Sequence, residues 1–382
     1  MRIISLSATN TYSKLEILPI KFDNLSLLVG ASGVGKTQIL QAVRDISLIA
    51  RGAPIGSFKW EITFEVDSSI YMWVGETDKS KDNSTQAKIM GRFYGIENDE
   101  NKPDILNETI KKDNETIIKR VGLDIIYKGE KTVKLSAKES VVNSLKEEDD
   151  IRKIHSAFSC VLNSVDTGYP RRPRFFPVSK NKPMFFEDFV SLRNSNRPFV
   201  QKLFICQEQF PEQFEEIKNS YMDIFPFVEE VEIDRLPMGH SDEENEYFQY
   251  FVKIRERGID DWIVQSDMSS GMFKSLHQIG CIYLAADGSV FLIDEFENGF
   301  GVNCIDDVTK ALISCGRNIQ FIITSHHPYI INNIPVSKWK IISRKGREVS
   351  AHDPSEFSLM KSNHESFTKL INLSIYQDGA DR

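Results

Sequence analysis

Cysteine is scarce: five in 382 residues, an odd number, with no Cys-x-x-Cys pair, so there is no basis for a disulfide framework or a zinc site. Cys160, Cys206, Cys281, Cys304 and Cys315 read as reduced thiols in a cytoplasmic protein. No run approaches the roughly 20 apolar residues that a membrane span requires, so no membrane role is expected. Met1-Arg2-Ile3-Ile4-Ser5-Leu6 is too short and interrupted for a signal peptide and reads as a first strand. No heptad pattern is long enough for a coiled-coil arm, and internal repeats and low-complexity tracts are absent. A basic excess is also lacking. With 47 Lys and Arg against 55 Asp and Glu, the formal charge is −8, which excludes a surface that is a nucleic-acid footprint throughout and leaves room only for a local basic groove.

What is present suffices for a large core: 41% hydrophobic and 27% charged residues, in a length that predicts one large domain with a substantial insertion. An apolar run over 24–29 ends at Gly30, and the spacing predicts a helix over 37–49. Phe58, Trp60, Ile62, Phe64 and Val66 alternate with Lys59, Glu61, Thr63 and Glu65, the period of a half-buried strand, and 70–74 reads as its hairpin partner. Residues 76–149 turn rich in Lys, Asp, Asn and Glu, with strand-like pieces at 123–127 and 132–135, and read as an inserted charged β-rich arm. Residues 150–227 read as a helical lobe, and strands return from 228. The expected division is therefore a core of 1–75 and 228–345, an arm of 76–149, a lobe of 150–227, and a tail of 346–382 packing on the core.

Three stretches carry chemistry. Gly30-Ala31-Ser32-Gly33-Val34-Gly35-Lys36-Thr37 is a complete G-x-x-x-x-G-K-[ST] loop between a strand and a helix. Glycines let backbone N–H groups turn around phosphate oxygens; Lys36 would reach the β- and γ-phosphates, and Thr37 would ligate Mg²⁺. Val290-Phe291-Leu292-Ile293 runs into Asp294-Glu295, an apolar strand delivering two carboxylates to its C-terminal edge. Asp294 would hold the metal through water, and Glu295 would position or deprotonate the attacking water. Phe321-Ile322-Ile323 likewise leads into Thr324-Ser325-His326-His327-Pro328, placing His326 at a strand end beside the γ-phosphate. A fourth stretch, Ser269-Ser270-Gly271, opens an apolar helix and serves equally as an anion site or as an ordinary N-cap.

Taken in order, these motifs resemble the ABC-type ATPase superfamily, and more narrowly the prokaryotic AAA_21/AAA_15-type group that includes OLD-family ATPase domains and SMC-like repair ATPases. The stretches carrying the resemblance are 1–50 and about 246–335. Ser269-Ser270-Gly271 matches the family's signature loop, Asp294-Glu295-Phe296-Glu297-Asn298-Gly299 its DE-x-E-N/H-G continuation, and His326 its switch histidine. The chain departs from the pattern at Ser270, where the first signature glycine belongs, at Met272, where Gln or Glu is usual, and in Ala31-Ser32-Gly33-Val34 of the phosphate loop. No Q-loop glutamine can be placed. These departures bear on hydrolysis rate and dimer strength and leave nucleotide binding intact.

The resemblance implies an α/β fold: an ABC-type ATPase head with a mixed β-sheet and P-loop core, carrying the inserted β-arm and helical lobe. It also implies ATP and Mg²⁺ as ligands, and a homodimer or higher homo-oligomer in which Ser269, Ser270 and Gly271 of one copy cap the γ-phosphate held by Lys36 of the other. Such ATPases control a separate effector, such as a nuclease, in antiphage defence or DNA processing. The alternative is a slow ATP-switched scaffold that holds an effector inactive, with no DNA role. Arg171-Arg172-Pro173-Arg174, with Lys180 and Lys182, is the densest basic spot and the candidate nucleic-acid contact. Tyr12 is a candidate to meet adenine.

Overall fold

The computed structural model describes residues 1–53, 55–78, 103–163, 176–179, 184–241, 245–298, 302–313, 316–359, 363–373 and 376. The basic spot at 171–174, with Lys180 and Lys182, lies outside them, as do Gly299 and Cys315. The chain divides into two compact units, one of residues 1–164, 288–296 and 318–382, the other of 165–287 and 297–317.

The first unit is built on a mixed sheet. Its strands are β1 (Arg2–Asn10), β2 (Leu15–Lys21), β3 (Leu25–Val29), β4 (Phe58–Val66), β5 (Ser69–Thr77), β6 (Ile105–Lys112), β7 (Glu115–Val121), β8 (Asp124–Tyr127), β9 (Glu130–Lys131), β10 (Val161–Asn163), β15 (Val290–Ile293), β16 (Gln320–Thr324), β17 (Trp339–Lys345) and β18 (Glu348–His352). Among the described residues they follow the order β10-β15-β16-β3-β17-β18-β2-β1-β4-β5-β6-β7-β8-β9. Neighbours from β10 through β17 are parallel, as is the β18–β2 pair, and β1 and β4 through β9 form an antiparallel meander.

The burial patterns explain this division. β15 and β16 are buried at every residue, as strands covered on both faces must be, whereas β4 alternates buried Phe58, Trp60, Ile62 and Phe64 with exposed Lys59 and Glu61. Helix α1 (Lys36–Ala50) buries Ile39, Leu40, Val43, Ile46, Ile49 and Ala50, an apolar stripe at helical spacing. Two shorter helices, α2 (Val141–Ser144) and α3 (Asp149–Ser159), precede β10. Phe158 of α3 meets Phe64 edge-on at 5.0 Å and Trp73 at 5.4 Å, and Trp60 meets Trp73 at 5.3 Å. Each such pair adds about 0.5–1.5 kcal/mol beyond the area it buries.

The outer meander has a polar pin. Arg120 and Glu108 are both fully buried, with Arg120 Nη1 3.4 Å from Glu108 Oε2. Arg120 also donates to the backbone oxygens of Gly122, Ser136 and Glu139, while Glu108 accepts from Ser140 Oγ and the Val141 amide. These bonds hold residues 136–141 against β6 and β7 and satisfy a charge pair that would otherwise be costly in the interior.

The second unit holds β11 (Phe176–Ser179), α4 (Phe189–Asn194), α5 (Phe199–Gln209), α6 (Pro211–Ile224), β12 (Val228–Ser241), β13 (Asn245–Glu256), β14 (Ile263–Val264), α7 (Ser270–Leu284) and α8 (Val302–Ile313). Its small sheet runs β11-β13-β12, with β14 on β13. Phe214, Ile217 and Tyr221 of α6 share a core with Val231, Ile233, Val252 and Ile254 of the strands and Phe273, Leu276 and Ile279 of α7.

Three features differ from the sequence reading. The stretch 150–227, read as helical, contains β10 and β11 besides its helices, because strands of three and four residues are too short to show a period. The arm expected over 76–149 is, where described, a continuation of the main sheet through β6 to β9, with 79–102 outside the described residues. Residues 228–287, read as core, fall in the second unit. Alternation reveals a half-buried strand but not which sheet it joins.

Candidate functional site

Three parallel strands deliver the candidate residues to one edge of the main sheet. β16 lies between β3 and β15, with Ile323 opposite both Leu27 and Ile293. Gly30, Asp294 and the Ser325–His326 step therefore leave the sheet side by side, at the C-terminal edge where open α/β sheets take ligands.

The phosphate loop runs from Gly30 into α1, which starts at Lys36. Lys36 is 6% exposed. Its Nζ donates to the backbone oxygens of Gly30 at 2.8 Å and Ala31 at 2.7 Å, so the ammonium is folded back over the loop. Gly35 caps α1 at φ +110°, with no side-chain cap and no acidic residue in the first turn. A positive helix end left open in this way suits an anion.

Thr324 holds the Asp294 carboxylate and the backbone of the turn that follows it. Thr324 Oγ1 donates to Asp294 Oδ1 at 2.7 Å and accepts from the Glu295 amide at 2.8 Å, while its carbonyl accepts from the Phe296 amide at 3.0 Å. Thr37 Oγ1 lies 3.2 Å from the same Asp294 oxygen, which joins the end of β15 to the start of α1. Glu295 is exposed and has φ +45°, a left-handed backbone that costs a non-glycine residue about 1–3 kcal/mol. Fully buried Phe296 anchors the turn from the other side.

His326 is half-buried, two residues past the end of β16. The fully buried Ser325 accepts from the His327 amide at 3.0 Å, and α9 (Pro328–Asn333) starts at once.

Ser269, Ser270 and Gly271 belong to the second unit, at the start of α7. Ser269 Oγ accepts from the Met272 amide at 3.2 Å, as an N-cap does. Tyr12 is 62% exposed in the turn between β1 and β2.

Sequence reading undervalued Thr324, which was noted only as a neighbour of His326. The signal was a hydroxyl at the end of the buried apolar run Phe321-Ile322-Ile323, a polar group that must find a partner. It also passed over Asn101-Lys102-Pro103-Asp104, which spells the Asn-Lys-x-Asp pattern of guanine readers. Asp104 pairs with Lys138 at 2.9 Å and leads into β6, far along the sheet from β3.

The sequence profile of the AAA_21 family, described as "AAA domain, putative AbiEii toxin, Type IV TA system", matches residues 25–332, a span that takes in the phosphate loop, the acidic pair and His326. The chain belongs to the AAA_21 family. This AAA_21 protein has the mixed-sheet α/β fold expected from the sequence. No curated protein matches the sequence. Among solved structures it is similar to an Smc head bound to the C-winged-helix domain of ScpA, at 13% identity and TM-score 0.48, over 92% of this chain and 97% of that one. It is also similar to an Smc head with an extended coiled coil bound to the C-terminal domain of ScpA from Pyrococcus furiosus, at 12% identity and TM-score 0.45, over 97% and 99% of the two chains. An SMC head from Thermotoga maritima aligns at 12% identity and TM-score 0.37, over 92% and 99%. No helix among the described residues is long and apolar enough to cross a membrane.

Proposed function

We propose that this AAA_21 protein binds Mg-ATP at residues 30–37 and hydrolyses it, with two copies closing around the nucleotide, and that the cycle controls a separate effector such as a nuclease in antiphage defence or DNA processing. One observation carries the reading. Lys36, Thr37, Asp294 and Glu295 are brought to one sheet edge, with Thr37 and Asp294 Oδ1 3.2 Å apart.

The residues present fit the nucleotide and its metal. The open N-terminus of α1 and the Lys36 ammonium match phosphate charge. Thr37 and Asp294 are a hard-oxygen pair of the kind Mg²⁺ takes together with phosphate oxygens. Bound Mg²⁺ would supply the positive charge that offsets charge developing on the transferred phosphoryl group. Glu295, exposed on its left-handed turn, would orient the attacking water and accept its proton. His326, at the end of the strand between β3 and β15, would contact the γ-phosphate. In the closed pair, Ser269, Ser270 and Gly271 of the second copy would cap that phosphate from α7's N-terminus. ATP would then favour the closed pair only by its differential contacts there.

The test is the solution mass of Glu295→Gln with and without Mg-ATP. This change should permit binding, stall hydrolysis and double the mass. A persistent monomer that nonetheless binds ATP would sink the composite site and leave the P-loop assignment standing.

A second reading, a slow ATP-switched scaffold that holds an effector inactive, draws on Ser269 being engaged as an ordinary N-cap and on buried Met272 standing where Gln or Glu is usual. Steady-state turnover separates the two: strong stimulation by DNA favours the first, and slow, unresponsive turnover the second.

A further inference from the structure

One hairpin backs both ends of the phosphate loop. β17 runs parallel to β3 with Ile341 opposite Val29, and β18 runs parallel to β2 with Val349 opposite Ile17. A Cβ placed on Gly30 would stand 2.4 Å from the backbone oxygen of Ile342, an atom that cannot swing aside. A Cβ on Gly35 would stand 2.9 Å and 3.2 Å from the two γ-methyls of Val349. Val349 is fully buried, and Gly35 caps α1 at φ +110°.

The hairpin is tied down beyond its strand ladder. His352 Nε2 lies 2.9 Å from Ser343 Oγ, and its Nδ1 lies 3.2 Å from Glu356 Oε2. Glu356 Oε1 accepts from the Asp353 amide at 2.8 Å, and Lys340 Nζ reaches Asp353 at 2.8 Å. Both strands are thus anchored to the 3₁₀ turn Pro354–Phe357. Val349 is a fixed wall rather than an adaptable one, since a β-branched side chain has little χ1 freedom.

We propose that Val349 is a positioning residue for the nucleotide site: its γ-methyls hold Gly35, and through it the first amides of α1 and the root of Lys36, in the arrangement that receives phosphate. The inference rests on the reading of residues 30–37 as the Mg-ATP site. Without this wall, Gly35 gains room and the loop samples more conformers, of which a fraction is competent to bind, so apparent affinity falls by that fraction. The C-terminal hairpin thereby becomes part of the ATP site without touching nucleotide.

The experiment compares Val349→Ala, Val349→Leu and Val349→Thr by calorimetric titration with Mg-ADP, beside thermal unfolding. Thr keeps the branch and the shape but buries a hydroxyl, so it should lower Tm and keep the wild-type Kd. Ala removes the wall and Leu moves the branch outward; both should weaken Kd about fivefold or more in folded protein. Affinity would then follow side-chain shape while stability does not. Wild-type Kd for Ala and Leu, or a Kd that merely tracks Tm across the series, overturns the proposal. Wild-type protein that binds no Mg-ADP overturns the nucleotide reading beneath it instead.

Discussion

Thr324 and Asp294 share a 2.7 Å hydrogen bond, and the same Thr324 hydroxyl receives the Glu295 amide at 2.8 Å. One side chain from β16 thus holds the Asp294 carboxylate and the Glu295 backbone, the two residues that follow the neighbouring strand. Thr324→Val keeps the shape but removes the donor to Asp294 and the acceptor for the strained Glu295 turn. We expect kcat for ATP to fall about tenfold or more, with a smaller change in Mg-ADP affinity, and Thr324→Ser to recover most of the loss. Equal losses in both quantities would place Thr324 in binding rather than in the arrangement of the carboxylates.

Lys36→Ala should weaken Mg-ADP by at least about tenfold, because it removes the cation whose Nζ bridges Gly30 and Ala31. Glu295→Gln should retain affinity and lose turnover. Fluorescence or calorimetric titration beside phosphate release separates the pair. Tight Mg-ADP binding by Lys36→Ala would remove the loop from the nucleotide site.

Arg120→Ala should destabilise the first unit by about 3–5 kcal/mol in urea unfolding, since the Glu108 carboxylate would be left buried with its cation gone. Burial already pushes the Glu108 carboxyl above its ordinary range, against the bonds from Ser140, Val141 and Arg120. Replacing both partners, as Glu108→Leu with Arg120→Met, should cost less than Arg120→Ala alone. A larger cost for the double change would show that the carbonyl contacts of Arg120 dominate.

His277 in α7 lies 4.4 Å from the Phe199 ring, and burial, with Lys274 beside it, lowers its pKa from 6.5 to about 4. The unfolded chain therefore binds this proton more readily than the folded one, and stability rises with pH across that window. It is complete above about pH 6.5 and declines as pH falls toward 4. With the ring half-buried, the loss between pH 7 and pH 5 should be ~1–2 kcal/mol. His277→Gln should flatten this part of the pH–stability curve. An unchanged slope would assign it to other groups.

Periodicity and motif order made the site strands legible. β15 and β16 were visible as apolar runs ending in polar residues, β4 as a strict alternation, and the phosphate loop in full. What stayed hidden is set by pairing across long sequence distances. Nothing local in Val161-Leu162-Asn163 reports that it lies parallel to Val290-Phe291-Leu292, and nothing local in Val349 reports that it faces Gly35. Thr324 belongs to the same class, because its importance lies in partners on another strand.

The sheet order also has a consequence for synthesis. β3, which carries the phosphate loop, has β16 and β17 as its neighbours, and both lie beyond residue 319. A ribosome that has produced the loop and helix α1 has therefore made neither flank of the strand supporting them. That edge of the sheet closes only when residues 320–345 emerge, so a nascent protein stalled short of that point presents an unpaired strand with three leucines and a valine among its five residues. Slow folding with long-range closure follows from the topology, and a translation pause after β17 would release a chain able to assemble that edge, whereas one before β16 would not.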